Sequence, residues 1–490
     1  MNKAEMGRHI DSVIADGPYK DSWESLCAYN PPQWYSDSKF GIFIHWGAYS
    51  VPAFANEWYP RNMYIEGSPE YEHHIKTWGP HNKFGYKNFI PLFKGEKFNA
   101  DEWVELFLQA GARYILPVAE HHDGFAMYDC SFSRWNAVTM GPKRDVIGEL
   151  KAAAEKRGMF FSVSYHRAEH CWFFNGGLKY DSDINNPSNE DFYGRQQLCT
   201  LDETHNIYTQ APPKDHCEDW LCRICELAEK YRPSVVYFDW WIHNLAWKPY
   251  LKKFAAFYYN SAKKWGAEVA INYKHSAFAC GAAVYTVERG NLADIRPRLW
   301  QSDTAAAKNS WGYTENNVYK DPVTIVGDLV DIVSKNGILT LNIGPRADGA
   351  ITEEDRHILL EIGNWLKKNG EGIYETTYWQ RFGEGPTQIA EGAFKDTDRS
   401  PFTPEDFRFT WKKGTLYAFV MKYPQNGKIL IPCLKKNTDP HSAYNFDIKQ
   451  VSILGYPYKL KFSREEAGLL INIENEINTD YPVGFAIELD

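Results

Sequence analysis

The sequence lacks the features that mark membrane-spanning and nucleic-acid-binding proteins. No stretch of its 490 residues approaches the ~20 consecutive apolar residues that cross a bilayer, so we expect no membrane partner. The formal net charge is −9 and no run of Lys and Arg reverses it locally, so we expect no nucleic-acid partner. Neither a GxGxxG nor a P-loop motif occurs, which argues against a phosphorylated substrate.

The first twenty residues, MNKAEMGRHIDSVIADGPYK, have no apolar core of the kind that a signal peptide needs. We therefore expect a cytoplasmic protein, or a periplasmic or secreted one whose leader has been removed. The nine cysteines show no disulfide-framework spacing, so we expect them to be reduced. Cys217, Cys222 and Cys225 fall in a stretch of helical apolar periodicity, which favours core thiols over a zinc site.

Aromatic residues are plentiful. They make up 16% of the chain, with 18 Trp and 31 Tyr. Such a surplus indicates either large aromatic cores or sites that stack against flat ligands, and sugars present flat C–H faces.

Most of the chain alternates amphipathic stretches with short β-rich runs, which predicts βα units and a parallel sheet. Eight strand candidates can be counted, from GIFIH near the start to ILTLNI after residue 337. Eight is the strand number of a (β/α)₈ barrel. From about residue 376 short alternating strands such as FRFTWKKGTLYAFVM replace this pattern. We therefore predict an α/β protein with a (β/α)₈-like TIM barrel over residues 1–375 and an all-β sandwich over residues 376–490.

Polar side chains follow nearly every predicted barrel strand. In a parallel barrel the chemistry collects where the strands end at their C-terminal face, so these side chains are expected to share one site. They are His45, Glu120, His121, His122, Asp123, Tyr165, His166, Asp239, Asn272, Glu288, Arg289, Gln301, Asp303 and Asn342.

Two of these carboxylates, Asp239 and Glu288, follow the fourth and sixth strands, and Trp240 and Trp241 adjoin the first of them. Paired acids on either side of a sugar bond are the usual apparatus of glycoside hydrolysis. The neighbouring imidazoles and amides suit sugar hydroxyls, which both donate and accept hydrogen bonds.

Two other classes of protein compete with this interpretation. HRAEH at residues 166–170 matches the H-x-x-E-H zinc-protease pattern, and the His pair at 121–122 adds candidate ligands. That pattern needs a helix, whereas here it follows a predicted strand directly. A non-catalytic carbohydrate-binding role suits the C-terminal part alone but leaves the paired barrel acids unexplained.

Several segments resemble the α-L-fucosidases of glycoside hydrolase family 29, and the resemblance runs from about Trp34 to Tyr378. They are KFGIFIHWGAYSVPAFANEWY, AEHHDGFAMYDCSFSRWN followed by GPKRDVIGEL, SWGYTENNVYK, LTLNIGPRADGAI and YTVERGNLADIRP. The resemblance implies a retaining mechanism with Asp239 as the nucleophile and Glu288 as the acid/base. Glu57, Glu120, Glu169 and Asp303 are the competing candidates for the acid/base role. The resemblance also implies a set of substrate-binding residues: His45, Glu57, Trp58, His121, His122, Tyr165 and, beside the acid/base, Arg289.

The predicted function is hydrolysis of terminal α-L-fucosyl residues from oligosaccharides or glycoconjugates by double displacement. We add His166 to the predicted substrate-binding residues and expect the C5 methyl group of fucose to lie against Trp241, Trp300 or Trp311. No metal ion or organic cofactor is required, and the expected partner is a fucosylated glycan. The alternatives left open are a zinc-dependent hydrolase and a glycosidase acting on the related sugar α-L-galactose.

Overall fold

The computed structural model describes residues 1–198, 210–397, 400–437, 439, 441–457, 460–474 and 477–490. Its α-helices are α1 Lys3–Asp16, α2 Trp23–Leu26, α3 Gln33–Ser38, α4 Tyr59–Asn62, α5 Pro69–Trp78, α6 Ala100–Gln109, α7 Val146–Lys156, α8 His170–Phe173, α9 Glu190–Tyr193, α10 Lys214–Tyr231, α11 Lys248–Trp265, α12 Pro322–Ser334 and α13 Glu353–Asn369. Within these ranges, no helix is both long enough and apolar enough to cross a membrane.

The first nine strands build one parallel sheet. They are β1 Phe40–Ile44, β2 Tyr114–Glu120, β3 Phe160–Phe161, β4 Val163–Tyr165, β5 Val235–Phe238, β6 Ala270–Tyr273, β7 Val284–Glu288, β8 Trp300–Ala305 and β9 Gly337–Ile343. Because β1 pairs with both β2 and β9, the sheet closes into a barrel. β3 and β4 are two pieces of a single barrel strand on either side of Ser162. The prediction of an eight-stranded parallel barrel is therefore confirmed.

The barrel strands are buried on both faces, as expected of parallel strands that helices cover from outside. All residues of β1, β5 and β9 are buried. Local signals place the surrounding helices: the side chain of Asn99 accepts hydrogen bonds from the first turn of α6, and that of Asp145 does the same for α7. Each such helix returns the chain to the bottom of the barrel, so every strand points the same way.

The remaining strands are antiparallel. They are β10 Thr377–Glu384, β11 Phe407–Lys412, β12 Thr415–Val420, β13 Lys428–Ile431, β14 Ile448–Ile453, β15 Lys461–Arg464, β16 Leu469–Asn472 and β17 Val483–Leu489. They form a five-stranded sheet and a three-stranded sheet, and side chains from both enter one apolar cluster, among them Phe409, Ile431 and Phe485. The predicted C-terminal sandwich is thus confirmed as a fold.

The segment between β10 and β11 does not stay with the C-terminal sheets. Gly392 forms an antiparallel bridge with Asn291, which follows β7 of the barrel. This segment therefore brings residues of the C-terminal half of the chain to the mouth of the barrel.

Candidate active site

A cavity of about 390 Å³ opens at the C-terminal ends of the barrel strands, a size within the usual range of small-molecule sites. Strands β1, β2, β4, β5, β6, β7 and β8 all contribute to its wall, as do loops and the segment after β10. The lining residues are Phe43, His45, Glu57, Trp58, His121, His122, His166, Tyr237, Asp239, Trp240, Lys274, His275, Glu288, Asp303, Trp311 and Phe394.

The period of two along a β-strand explains which strand-end residues reach the cavity. Tyr237 and Asp239, two positions apart at the end of β5, both line it, whereas Phe238 between them packs outward against Phe254 of α11. On β4 Ser164 and His166 are hydrogen-bonded to each other on one side. Alternate residues point to opposite faces of a strand, so the strand end alone does not decide which residue joins the site.

Asp239 and Glu288, the two acids predicted to act together, meet in the cavity through a third residue. The Nζ atom of Lys274 lies 2.5 Å from Oδ1 of Asp239 and 2.5 Å from Oε2 of Glu288. Two oxygens bound to one nitrogen at that distance are at most about 5 Å apart. This spacing fits the ~5–5.5 Å of retaining glycosidases and is shorter than the ~6.5–9.5 Å of inverting ones.

Lys274 is charged at neutral pH. Burial alone would lower the pKa of its ammonium group, but Asp239 and Glu288 hold that pKa well above its ordinary value. Lys274 thus compensates both carboxyl groups, which would otherwise repel each other across a dry cavity when both are ionised.

Asp239 is the ionised member of the pair. Its second oxygen, Oδ2, lies 3.3 Å from Nε2 of His122 and 3.3 Å from Nδ1 of His166. Burial would raise the pKa of this carboxyl, but Lys274 and the two histidines hold it well below its ordinary value. An anionic oxygen is what a nucleophile at a sugar carbon requires.

Glu288 is shifted in the opposite direction. Burial raises its pKa to about 7, because the negative charges of Asp239 and Asp303 add to desolvation and outweigh the attraction of Lys274. The group is therefore protonated in a large fraction of molecules near neutral pH, as an acid catalyst must be. Two carboxylates with pKa values driven apart are the signature of separate acid and nucleophile roles.

His122 is a cation held between two carboxylates. Its Nδ1 lies 2.8 Å from Oε2 of Glu169, while its Nε2 faces Asp239. Burial would lower the pKa of this imidazole, but Glu169 and Asp239 raise it to about 10. Glu169 is itself completely buried, so it acts on Asp239 through His122 and does not reach the cavity.

Three further histidines are neutral. Burial and the neighbouring imidazoles lower the pKa values of His45 and His121 well below the ordinary value, and burial lowers that of His166 to about 4. Nδ1 of His45 lies 2.6 Å from the side-chain oxygen of Asn342 on β9. A neutral imidazole can donate at one nitrogen and accept at the other, which matches a sugar hydroxyl.

The same histidines are the residues that could hold a metal ion. The described residues include two groups whose ligand atoms all lie within 4.8 Å of one another: His45, His121 and His166, and His122, His166 and Asp239. In the second group His122 is cationic, and the ammonium group of Lys274 is bound to the carboxylate of Asp239. Positive charge at both positions opposes a metal cation there.

Loops between the strands complete the wall of the cavity. Glu57, which follows β1, accepts hydrogen bonds from the backbone N–H of Trp311 at 2.8 Å and from the hydroxyl of Ser310 at 3.2 Å. Trp58 lies 5.2 Å from the ring of His122. Two loops far apart in sequence are therefore fixed to each other with their indoles against the cavity.

Four residues predicted to bind the substrate are not among those that line the cavity. Tyr165 lies on the outer face of β4 and packs against Trp220 of α10. Trp300 also faces outward, and its indole N–H donates to the backbone oxygen of Lys335. Trp241 is fully buried between Trp172 and Trp247. These three assignments need correction, because the side chains belong to the layer between strands and helices.

Arg289, the fourth, lies behind the wall. Its guanidinium lies over the ring of Trp311 at 5.6 Å and pairs with Asp396 at 3.2 Å. It therefore supports a lining residue without reaching the cavity itself. Among the other acids that follow predicted strands, Glu120 is completely buried and paired with Arg167, whereas Asp303 does line the cavity and accepts a hydrogen bond from Thr286.

The HRAEH segment does not assemble the zinc pattern. A 3₁₀ turn over Arg167–Glu169 and the short helix α8 replace the single long helix that the pattern needs. Both ring nitrogens of His170 are hydrogen-bonded to backbone oxygens, those of His122 and Phe192. Its glutamate, Glu169, is engaged with His122. With His166 hydrogen-bonded to Ser164, all three motif residues therefore have other partners.

Sequence reasoning missed Lys274, His275 and Phe394. Lys274 lies two positions after Asn272, so extending the alternation of β6 by one step would have found it. Phe394 lies outside the barrel sequence altogether, and no local pattern connects it with the site. Trp240 was noted only as a neighbour of Asp239, yet it lines the cavity.

Comparison with known proteins agrees with this geometry. The family model for alpha-L-fucosidase matches residues 8–371, and the model for the alpha-L-fucosidase C-terminal domain matches residues 400–490. The chain is 32% identical over 474 residues to plasma alpha-L-fucosidase of Pongo abelii, covering 93% of this chain and 89% of that protein. It is 27% identical over 484 residues to human tissue alpha-L-fucosidase, covering 96% and 90%.

Solved structures resemble the whole chain as well. Thermotoga maritima alpha-fucosidase in complex with fucose has a TM-score of 0.74 and 28% identity, covering 96% of this chain and 100% of that one. The same enzyme in complex with a mechanism-based inhibitor gives a TM-score of 0.75 with the same identity and coverage.

Proposed function

The chain belongs to the alpha-L-fucosidase family of glycoside hydrolases, and from that membership we propose the role of each residue in its site. The protein hydrolyses α-L-fucosides, with retention of configuration at the anomeric carbon. We assign Asp239 as the nucleophile and Glu288 as the acid/base, with a fucosylated glycan as the substrate.

The observation that supports this assignment most directly is the Lys274 bridge. It brings the two carboxylates within about 5 Å of each other, which leaves no room for a water molecule behind the sugar as inversion requires. Their pKa values differ in the direction that the two roles demand: Asp239 lies well below and Glu288 well above the ordinary carboxyl value.

In the first step an oxygen of Asp239 attacks the anomeric carbon while the bond from that carbon to the leaving oxygen breaks. Glu288 gives its proton to the leaving oxygen, so the aglycone departs as a neutral alcohol. Positive charge develops on the sugar ring at the transition state, and the anionic Asp239 stabilises it in a cavity of low dielectric constant. The product of this step is a glycosyl ester of Asp239.

In the second step water displaces the ester. Esterification has removed the negative charge of Asp239, so the pKa of Glu288 falls and Lys274 now stabilises the carboxylate form of Glu288 alone. Glu288 takes a proton from water, the water oxygen bonds to the anomeric carbon, and the bond to Asp239 breaks. Both groups return to their starting protonation states.

The remaining lining residues suit a 6-deoxy sugar. The neutral imidazoles of His45, His121 and His166 provide donors and acceptors for ring hydroxyls. Phe43 and Trp311 provide an apolar wall against which the C5 methyl group packs. A hydroxyl at C6, as in α-L-galactose, would place an unpaired polar group against that wall and weaken binding.

A panel of 4-nitrophenyl glycosides, including the α-L-fucoside and the α-L-galactoside, tests the proposal. We expect the fucoside to be turned over fastest and NMR to show α-L-fucose as the first-formed product. Asp239→Ala is expected to lower kcat by at least about 10⁴-fold with an unchanged circular dichroism spectrum. A first-formed β anomer, or an Asp239→Ala variant with kinetics like the wild type, would refute the assignment.

A further inference from the structure

We propose that Phe394 forms the platform on which the first sugar of the leaving group stacks, and that this sugar is a hexopyranose presenting a C–H face. The proposal rests on the assignment of Glu288 as the acid/base, because the leaving group must lie beside the group that protonates it. It adds a specificity-determining residue that comes from outside the barrel.

The backbone fixes Phe394 directly beside Glu288. The N–H of Phe394 donates to the backbone oxygen of Glu288 at 2.9 Å, and the next two N–H groups donate to the backbone oxygen of Arg289 at 2.8 and 3.0 Å. The N–H of Gly392 donates to the backbone oxygen of Asn291 at 3.0 Å. The segment thus pairs with the chain that follows β7, and its register determines where the phenyl ring lies.

A buried ion cluster anchors the same segment two residues later. Oδ2 of Asp396 lies 2.5 Å from Nζ of Lys320 and 3.2 Å from Nε of Arg289, and the hydroxyl of Thr304 donates to it at 2.5 Å. A carboxylate that is removed from water is stabilised only by such close partners. The anchor therefore holds Phe394 at the cavity rather than leaving it on a loose loop.

Glycine at position 290 is needed for this close packing. A Cβ atom there would lie 1.9 Å from the backbone oxygen of Gly392, far inside van der Waals contact. The segment could not approach β7 so closely if residue 290 had a side chain. The sequence ERG at 288–290 therefore contains both the proposed acid/base, Glu288, and the glycine, Gly290, that lets the neighbouring segment pack closely.

Phe394 is exposed to solvent, which suggests that a bound ligand covers its ring. Its side chain is 62% exposed although it lines the cavity. The lining residues His45, His121, His122, His166 and Asp239 are buried. The backbone of Phe394 is also left-handed, with φ 57°, a conformation that costs energy for a residue with a side chain. His275, another exposed lining residue, shares that feature with φ 54°.

The position and the chemistry together indicate the occupant. The nearly buried part of the cavity holds the residues assigned to fucose, and the exposed lining residues lie on the sector of β5, β6 and β7, where Glu288 faces the leaving oxygen. An aromatic face attracts the C–H face of a pyranose ring through apolar contact without specifying its hydroxyls. A hexopyranose in the leaving group would cover the phenyl ring and be protonated by Glu288.

The test compares two substrates that share fucose and differ in the leaving group: an α-L-fucosyl disaccharide with galactose at the reducing end, and α-L-fucosyl fluoride. For Phe394→Ala we expect kcat/KM to fall about 10-fold on the disaccharide, which equals about 1.4 kcal/mol. The loss on the fluoride should be several-fold smaller, since fluoride offers no ring to stack. Phe394→Trp should restore most of the disaccharide activity.

Phe160→Ala is the matched control, because Phe160 is a partly exposed phenylalanine at the opposite end of the barrel. It should leave the ratio of the two kcat/KM values as in the wild type. A Phe394→Ala variant that loses equally on both substrates, or on neither, would overturn the proposal. If the wild type cleaves neither substrate, the proposed function itself fails, which is a different result.

Discussion

Replacing Lys274 by Met removes the charge that the two active-site carboxylates share. Its Nζ lies 2.5 Å from an oxygen of each of them, and among the residues that the structure describes its buried charge has no other acidic partner as near. The methionine side chain has a similar length and leaves the cavity filled. The variant therefore tests electrostatics more than packing.

The size of the effect follows from Coulomb's law. At an effective dielectric constant of about 20, a unit charge ~4 Å away contributes roughly 4 kcal/mol, or about 3 pKa units. Without Lys274, the attraction that lowers the pKa of Glu288 disappears while the repulsion from Asp239 remains. We expect that pKa, about 7 in the wild type, to rise by roughly 2–3 units. The pKa of Asp239 should rise as well.

The pH profile of kcat/KM shows the sign of this change. The proposed acid role of Glu288 requires its protonated form, so the wild type should lose activity as the pH rises through about 7. In Lys274→Met the alkaline limb should move upward, and an acidic limb should appear where Asp239 becomes protonated. The maximum should fall roughly 10- to 100-fold, because the anionic nucleophile is no longer favoured.

Kinetics with 4-nitrophenyl α-L-fucoside from pH 4 to pH 10 measure both limbs. Lys274→Arg keeps the charge and should keep the alkaline limb near its wild-type position. Lys151→Met removes a lysine charge on α7, paired there with Glu155, and should leave the profile unchanged. An alkaline limb that stays in place or moves downward in Lys274→Met would show that Lys274 does not set the pKa of Glu288.

Two further outcomes follow from the same network. Glu288→Ala should reduce hydrolysis of disaccharides roughly 10²- to 10⁴-fold and that of aryl fucosides with good leaving groups far less. Azide should restore turnover of this variant and yield a fucosyl azide. The control Glu72→Ala changes an exposed residue of α5 and should show no azide effect. A Glu288 variant that azide does not rescue would move the acid/base role to another carboxylate. Glu169→Gln should lower the pKa of His122 from about 10, seen by NMR titration of the imidazole, and reduce kcat/KM roughly 10-fold or more. An unchanged titration would contradict the proposed action of Glu169 through His122.

The sequence by itself was enough to predict the fold and the centre of the site. Alternating apolar runs and capped amphipathic stretches are local patterns. Eight strand–helix units of this kind can pack into a closed sheet in only a few ways. Asp239 lies directly after a fully buried strand, so its place at the mouth of the barrel follows from the end of that strand. The same reasoning brought His45, His121, His122, His166 and Glu288 to the cavity, where the structure has them.

The face to which a strand-end residue points was harder to predict. Tyr165 was predicted to be a site residue because it ends a strand, and Trp300 because it is an aromatic candidate for the C5 methyl contact, yet both point outward to the helices. A shift of one residue reverses the facing of every side chain on a strand. Strand ends are known from sequence only to within a residue or two, so this part of the site could not be assigned with certainty.

Only the tertiary structure decided which distant residues share the cavity. Lys274 comes between Asp239 and Glu288 because β5, β6 and β7 are adjacent in the barrel, and Phe394 joins them because the chain returns from the C-terminal sheets to β7. The pKa values depend on the same distances, since Coulomb energies change steeply over a few ångströms in a dry cavity. Local sequence patterns specify helices and strands, whereas charges and loops act on one another through contacts that form only when the whole chain has packed.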